Sequence, residues 1–442
     1  MKTLSNKEKQ QLIRNTLGKR LKDITPAPPA AAQPSQRTEQ IPEKFYRFDQ
    51  DPAYQQLHII NKGAARIGIA NPFFRIHEGS ACATTRINGR ELINFASYNY
   101  LGLSGHPQVN QAAHEAIDAY GTSVSASRLV AGERPLHGDL EQALAGVYEV
   151  DDALVFVSGH ATNVSTIGHL FGPKDLILHD ELIHNSVLVG AQLSGAKRLS
   201  FPHNDLESLQ RTLEEQRMRH EKVLIVVEGL YSMDGDYPDL PALVELKQRY
   251  KCFLMVDDAH ALGVMGDSGR GIREFFGLDG ADVDIWMGTL SKSLAGCGGY
   301  ICGCSALVEQ LKFLAPGFLY SVGMPTQVAA PALAALQIML DQPERVQRLQ
   351  QLSAFFLSEA KRRGMDTGLA KGLAIIPVIT GSSINAALLS ESLLTHGINV
   401  QPIIYPAVAE KSARLRFFIN SEHTEEQILT TLDCLHEELR KL

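Results

Sequence analysis

From about residue 151 the chain alternates short apolar runs rich in β-branched residues with stretches whose apolar positions recur at helical spacing. The runs at 153–157, 176–178, 223–227, 253–256, 285–287 and 300–302 are predicted as strands, and 205–220 and 240–250 between them as helices. Strands alternating with helices are the pattern of an open, mostly parallel sheet covered by helices, an α/β fold. After about residue 327 the texture changes. A long helical run from 329 through 363 precedes short strands at 374–379, 398–402 and 415–419 and a closing helix from Thr424, a pattern that predicts a smaller C-terminal α+β domain.

The start of the chain differs from all of this. Leu12, Ile13, Leu17, Leu21 and Ile24 fall close to one helical face over 5–24, with Ser5 as a cap and Glu8 three positions on. Residues 25–34 are rich in Pro and Ala and predict an extended, semi-rigid linker. The expected division is therefore 1–45 as amphipathic helix plus linker, 46–105 as an N-terminal segment, 106–330 as a large ligand-binding domain and 331–442 as a small domain. A helix on such a tether is either a tail without fixed structure or a docking element for another protein.

Composition narrows the classes. The 442 residues are 44% hydrophobic and 21% charged, and the net charge of -7 gives no support for nucleic-acid or polybasic membrane binding. No apolar run approaches the roughly 18 residues needed to span a bilayer, and the first residues lack the apolar core of a secretory signal. Six cysteines, at 82, 252, 297, 302, 304 and 434, form no Cys-x-x-Cys pair. Their scatter suits a reducing cytoplasm and gives no reason to expect a metal site.

Candidate chemistry gathers just after the predicted strands, where open α/β sheets bind their ligands. Lys292 follows one strand in Thr289-Leu290-Ser291-Lys292-Ser293 and precedes the glycine-rich Gly296-Cys297-Gly298-Gly299. Another strand ends in Val256-Asp257-Asp258-Ala259-His260. An amine, a carboxylate at a strand end and an imidazole are what pyridoxal 5'-phosphate (PLP) requires: the amine holds the aldehyde as a Schiff base, and the carboxylate keeps the pyridine nitrogen protonated. Ser158-Gly159-His160 stands at a strand-to-helix turn, where backbone N–H groups can meet a phosphate, and Thr289 can add a hydroxyl. His184 follows a strand and is placed to stack on a ring, and Ser232 in the next post-strand loop can reach the ring edge.

From Asn94 to the C-terminus the chain resembles the α-oxoamine synthases, PLP enzymes of fold type I that include serine palmitoyltransferase and 8-amino-7-oxononanoate synthase. The resemblance lies in an ordered set of motifs: Asn94 through Leu103, Gly121-Thr122 through Leu129, Leu136-His137, His203-Asn204-Asp205, Glu228 through Asp236, Val256 through His260, Thr289 through Lys292, and Ala413-Arg414-Leu415-Arg416. It implies Lys292 as Schiff-base lysine and base for the Cα proton, Asp257 against the pyridine nitrogen, His260 at the ring hydroxyl and His184 stacked on the ring. Gly159 and His160 fall at the phosphate, and Arg416, with Asn99 near it, matches the clamp on the amino-acid carboxylate.

The implied reaction condenses glycine, alanine or serine with an acyl thioester, releasing CO2 and the free thiol and leaving an α-aminoketone. In two places the chain departs from the family. The loop from Gly121 to Arg128, with Ser125 expected at the acyl donor, resembles members tied to polyketide-type assembly lines, whose donor rides on an acyl carrier protein rather than on CoA. Tyr320-Ser321-Val322 keeps the serine of a phosphate contact made across a homodimer but has Val322 where a hydroxyl residue is common. The competing readings are a free acyl-CoA enzyme, a PLP aminotransferase and a non-catalytic scaffold subunit.

Overall fold

The computed structural model describes residues 41–66 and 71–442. The helix expected over 5–24 and its linker lie outside the described residues. The first regular elements are a helix, Pro52–Arg66, and a hairpin of β1 (Thr84–Ile87) and β2 (Arg90–Asn94). Asn88 and Gly89 turn this hairpin with φ of 52° and 72°. An Asn-Gly pair at positive φ matches the twist of the two strands it joins.

The next seven strands form one sheet: β3 (Asp152–Phe156), β4 (Leu176–Asp180), β5 (Lys197–Phe201), β6 (Val223–Glu228), β7 (Phe253–Asp257), β8 (Ile285–Thr289) and β9 (Gly299–Gly303). Their order is β3-β9-β8-β7-β6-β4-β5, parallel from β8 through β5, with β9 antiparallel to both its neighbours. β9 returns directly from the Lys292 turn with no crossover helix, and a connection that short permits only antiparallel pairing. Both faces are covered. Val223, Ile225 and Val227 enter one core while Leu224 and Val226 enter the other, which is why β6 is apolar without alternation.

The C-terminal part contains β10 (Ile375–Ile379), β11 (Ile398–Asn399), β12 (Gln401–Ile403) and β13 (Arg414–Phe418). β10, β13 and β12 form an antiparallel sheet, while β11 pairs in parallel with β2. The single strand expected over 398–402 is thus two, divided at Val400, and the first ties the N-terminal hairpin to the C-terminal part. The helical run expected from 329 to 363 is likewise two helices, Thr326–Asp341 and Pro343–Arg362. Proline at N1 starts the second because it lacks the N–H that would continue the first. Thr424 caps the closing helix Glu425–Leu439 in a reciprocal box with Gln427. Among the described residues, no helix is long and apolar enough to cross a membrane.

Candidate active site

At the carboxyl ends of the parallel strands lies a cavity of about 250 Å³. Lys292, His184, Asp257, His260, Ser158, Gly159, His160 and Thr289 all line it. Asp257 is the last residue of β7, and Thr289 that of β8. The turn carrying Lys292 is locked at both ends: Leu290 N–H donates to Gly298 O at 3.0 Å, Gly296 N–H to Leu290 O at 2.8 Å, and Ser293 Oγ to Leu262 O at 2.8 Å. Burial pushes the Lys292 ammonium down to about 8, against the pull of Asp257 and Glu228 and with help from Arg416. That is an amine poised to act as nucleophile or base near neutral pH.

One asparagine orients two of these groups. Asn163 Nδ2 donates to Asp257 Oδ2 at 2.8 Å and to Ser186 Oγ at 2.9 Å, and Ser186 Oγ meets His184 Nδ1 at 2.7 Å. Ala259 N–H donates to Asp257 Oδ1 at 3.2 Å. These donors fix the orientation of the Asp257 carboxyl group. His184 also caps its own helix, its Nδ1 accepting from Ser186 N–H, so the ring is held at one edge and open at the other. Burial lowers its pKa, with Asp257 opposing. His260 lies well below its usual range through burial and the charges of Lys292 and Arg416, and its Nδ1 pairs with Tyr100 Oη at 2.7 Å.

The other end of the cavity is the start of the helix Gly159–Leu170, capped by Ser158 Oγ, which accepts from Ala161 N–H at 3.4 Å. A Cβ on Gly159 would come within 2.9 Å of Thr289 Oγ1. Glycine there leaves a cradle of backbone N–H and hydroxyl at a helix N-terminus, suited to a phosphate. With an amine of depressed pKa and an oriented carboxylate facing that cradle, the residues fit PLP at each of its polar ends.

Residues 90–435 match the family model described as aminotransferase class I and II. The chain is 42% identical over 342 residues to the 8-amino-7-oxononanoate synthase of Symbiobacterium thermophilum, covering 77% of this chain and 87% of that enzyme. The chain belongs to the α-oxoamine synthases of PLP fold type I. Among solved structures, the serine palmitoyltransferase of Sphingomonas wittichii superposes with a TM-score of 0.84 at 29% identity, covering 88% of this chain and 98% of that one. A PLP-bound serine palmitoyltransferase from S. paucimobilis gives 0.83 at 28%, with the same coverage. As an α-oxoamine synthase, the protein is a PLP-dependent C-acyltransferase that condenses an amino acid with an acyl thioester.

Five residues expected at the synthase site do not line this cavity. Arg416, on β13, has its Nη1 on Ser232 O at 2.9 Å, its guanidinium 4.5 Å over Phe418 and its pKa lowered by burial. Ser232 is buried, and its N–H donates to Glu228 Oε2 at 3.0 Å. Asn99 differs more. Its Nδ2 donates to Ala81 O at 2.9 Å and its Oδ1 accepts from Ser104 N–H at 3.2 Å, so the amide is committed to holding backbone. Ser125 is exposed with φ of 56°, and Ser321 Oγ donates to Val322 O at 3.3 Å. These last two stand in one patch, because Gly323 N–H donates to Ala126 O at 2.9 Å. Reading the sequence missed Asn163, Ser186, Tyr98 and Glu228, all of which line the cavity. Asn163 had one available signal: it stands one helical turn after Gly159, on the same face.

Proposed function

We propose that this synthase takes a small amino acid, glycine, alanine or serine, and an acyl group carried as a thioester on a carrier protein. Arg416 carries the amino-acid half of this reading. Arg414, two residues earlier on β13, pairs with Asp234 at 2.6 Å, whereas Arg416 has no carboxylate within 4.0 Å among the described residues. A half-buried guanidinium without an anion is favoured by a ligand that supplies one, and its fork fits a carboxylate in two-point contact. PLP, when bound, supplies the electron sink that makes a Cα proton removable near neutral pH. Lys292 would hold the cofactor and would take that proton at Nζ. Asp257 would serve the ring nitrogen, His184 would pack against the ring, and His260 and Ser232 would serve its hydroxyl edge. The N–H groups of Gly159 and His160, with Thr289 Oγ1, would hold the phosphate.

The donor half rests on the surface beside the site. The loop 121–125 is largely exposed, and it is anchored by Arg128, which pairs with both Glu133 and the buried Glu141. Leu129, Val130, Tyr320 and Val322 expose apolar surface next to Ser321, which supports a homodimer in which Ser321 reaches the phosphate of the neighbouring subunit. The test measures kcat/KM with the same acyl group on CoA and on a carrier protein, for the full chain and for a chain lacking residues 1–40. The expected result is a preference for the carrier donor that drops several-fold on truncation, with the CoA rate unchanged. Equal carrier kinetics with and without the tail would reject a docking role for it, and faster turnover with CoA would reject the carrier donor.

A further inference from the structure

β6 ends on Glu228, in register with Asp257 at the end of β7, so neighbouring strands present two carboxyl groups to one cavity. The two are not equivalent. Asp257 receives the Asn163 amide and the Ala259 N–H on separate oxygens. Glu228 is 3% exposed and receives only the Ser232 N–H, on Oε2, while its Oε1 is buried with no partner among the described residues. Two adjacent buried carboxyl groups do not both ionise readily, and the proton settles on the one with fewer donors.

We infer that Glu228 is a further functional residue of the reaction: a protonated carboxylic acid that donates a hydrogen bond from Oε1 to the negatively charged ring oxygen of the bound cofactor. This rests on the placement of PLP proposed above. A charged Glu228 would set a second anion beside a ring that already has Asp257 as counter-ion, and would repel the ring oxygen. A neutral one leaves one carboxylate for one pyridinium and adds a donor to the ring oxygen that His260 also serves.

The surroundings agree. Burial first, then the charges of Asp257 and Asp180, push Glu228 up to about 8, while the Ser232 N–H and Lys292 pull it down. Arg416 and Tyr231 also face it. Asp258, on the far side of β7, is pushed up to about 8 as well, so it is a second protonated carboxyl that the test must separate.

Infrared difference spectra of the cofactor-free protein between pH 6 and 9.5 make that separation without relying on PLP. A protonated-carboxyl C=O band that titrates near pH 8 and vanishes in Glu228→Gln, leaving the Asp258 band, is expected. In the loaded protein, Glu228→Gln keeps a neutral donor and should hold the PLP dissociation constant within about two-fold, while Glu228→Ala should raise it roughly ten-fold, the loss of one hydrogen bond to a charged group. A carboxyl band unchanged in Glu228→Gln overturns the inference, as does equal weakening of PLP binding by Gln and Ala. Failure of PLP to attach at Lys292 would instead overturn the placement while leaving the infrared result intact.

Discussion

The depressed pKa of Lys292 has a measurable consequence for how the cofactor is acquired. An ordinary lysine titrates at 10.5, but burial brings this one to about 8. At pH 7 an amine with a pKa near 8 is neutral in about one molecule in ten, whereas one near 10.5 is neutral in about one in 3,000. Only the neutral amine attacks an aldehyde, so the cavity raises the reactive fraction by roughly 300-fold. The perturbation is pH, and the assay is stopped-flow mixing of cofactor-free protein with PLP, followed by visible absorbance from pH 6 to 10. The attachment rate should rise nearly ten-fold per pH unit up to about 8 and then flatten. Lys292→Ala should show no such absorbance change and no turnover. A rate still climbing ten-fold per unit beyond pH 9 would mean that Lys292 is an ordinary solvated lysine, and the reasoning from burial would fail.

Two further outcomes follow from the charged groups around this cavity. Arg416→Lys keeps the charge but loses the planar fork, and should raise KM for the amino acid about ten- to a hundred-fold with the PLP spectrum unchanged, the size of one charge-assisted hydrogen bond; an unaltered KM removes Arg416 as the clamp. His203 lies between Asp180, 2.9 Å from its Nδ1, and Asp236, 2.8 Å from its Nε2, and these partners raise it to about 10 against burial. A histidine raised on folding contributes stability that is complete below about 6.5 and lost as pH rises through about 10. His203→Gln should therefore cost about 3–5 kcal/mol at pH 7, as breaking a buried pair does, with the gap in denaturant midpoint narrowing by pH 10.5. A gap independent of pH would show that the imidazolium charge is not what holds these carboxylates.

Much of the large sheet was legible because strands buried on both faces leave continuous apolar runs, and β3, β4, β6, β7 and β8 begin within a residue of where those runs begin. β5 was not legible. It is an edge strand of sequence Lys197-Arg198-Leu199-Ser200-Phe201 with only Phe201 buried, so no apolar run marks it. Pairing decided what pattern could not: 398–402 alternates apolar and polar positions like one strand, yet its halves belong to different sheets, the first paired with β2 and the second with β13. The cavity residues proposed to meet PLP at its polar ends were legible as types at strand ends. Those that orient them were not, since Asn163 reaches Asp257 across 94 positions and Arg416 reaches Ser232 across 184.

The spacing of Arg414 and Arg416 gains its meaning only from the loop they both touch. Residues two apart on a strand share a face, and that face meets the segment running from Glu228 to Asp236. Arg414 Nη1 takes the Met233 carbonyl at 2.8 Å and the Asp234 carboxylate at 2.6 Å. Arg416 takes only the Ser232 carbonyl and the Met233 sulfur, at 2.9 and 3.1 Å. From the other side, His203 and Asn204 hold Asp236 at 2.8 and 3.1 Å. The loop is thus gripped by carboxylates at 234 and 236, while at its start Glu228 lines the cavity. Because Asp234 neutralises Arg414 and no carboxylate among the described residues reaches Arg416, two arginines of the same strand differ in what they are free to do: one fixes the loop, and the other keeps its charge for the substrate carboxylate proposed above.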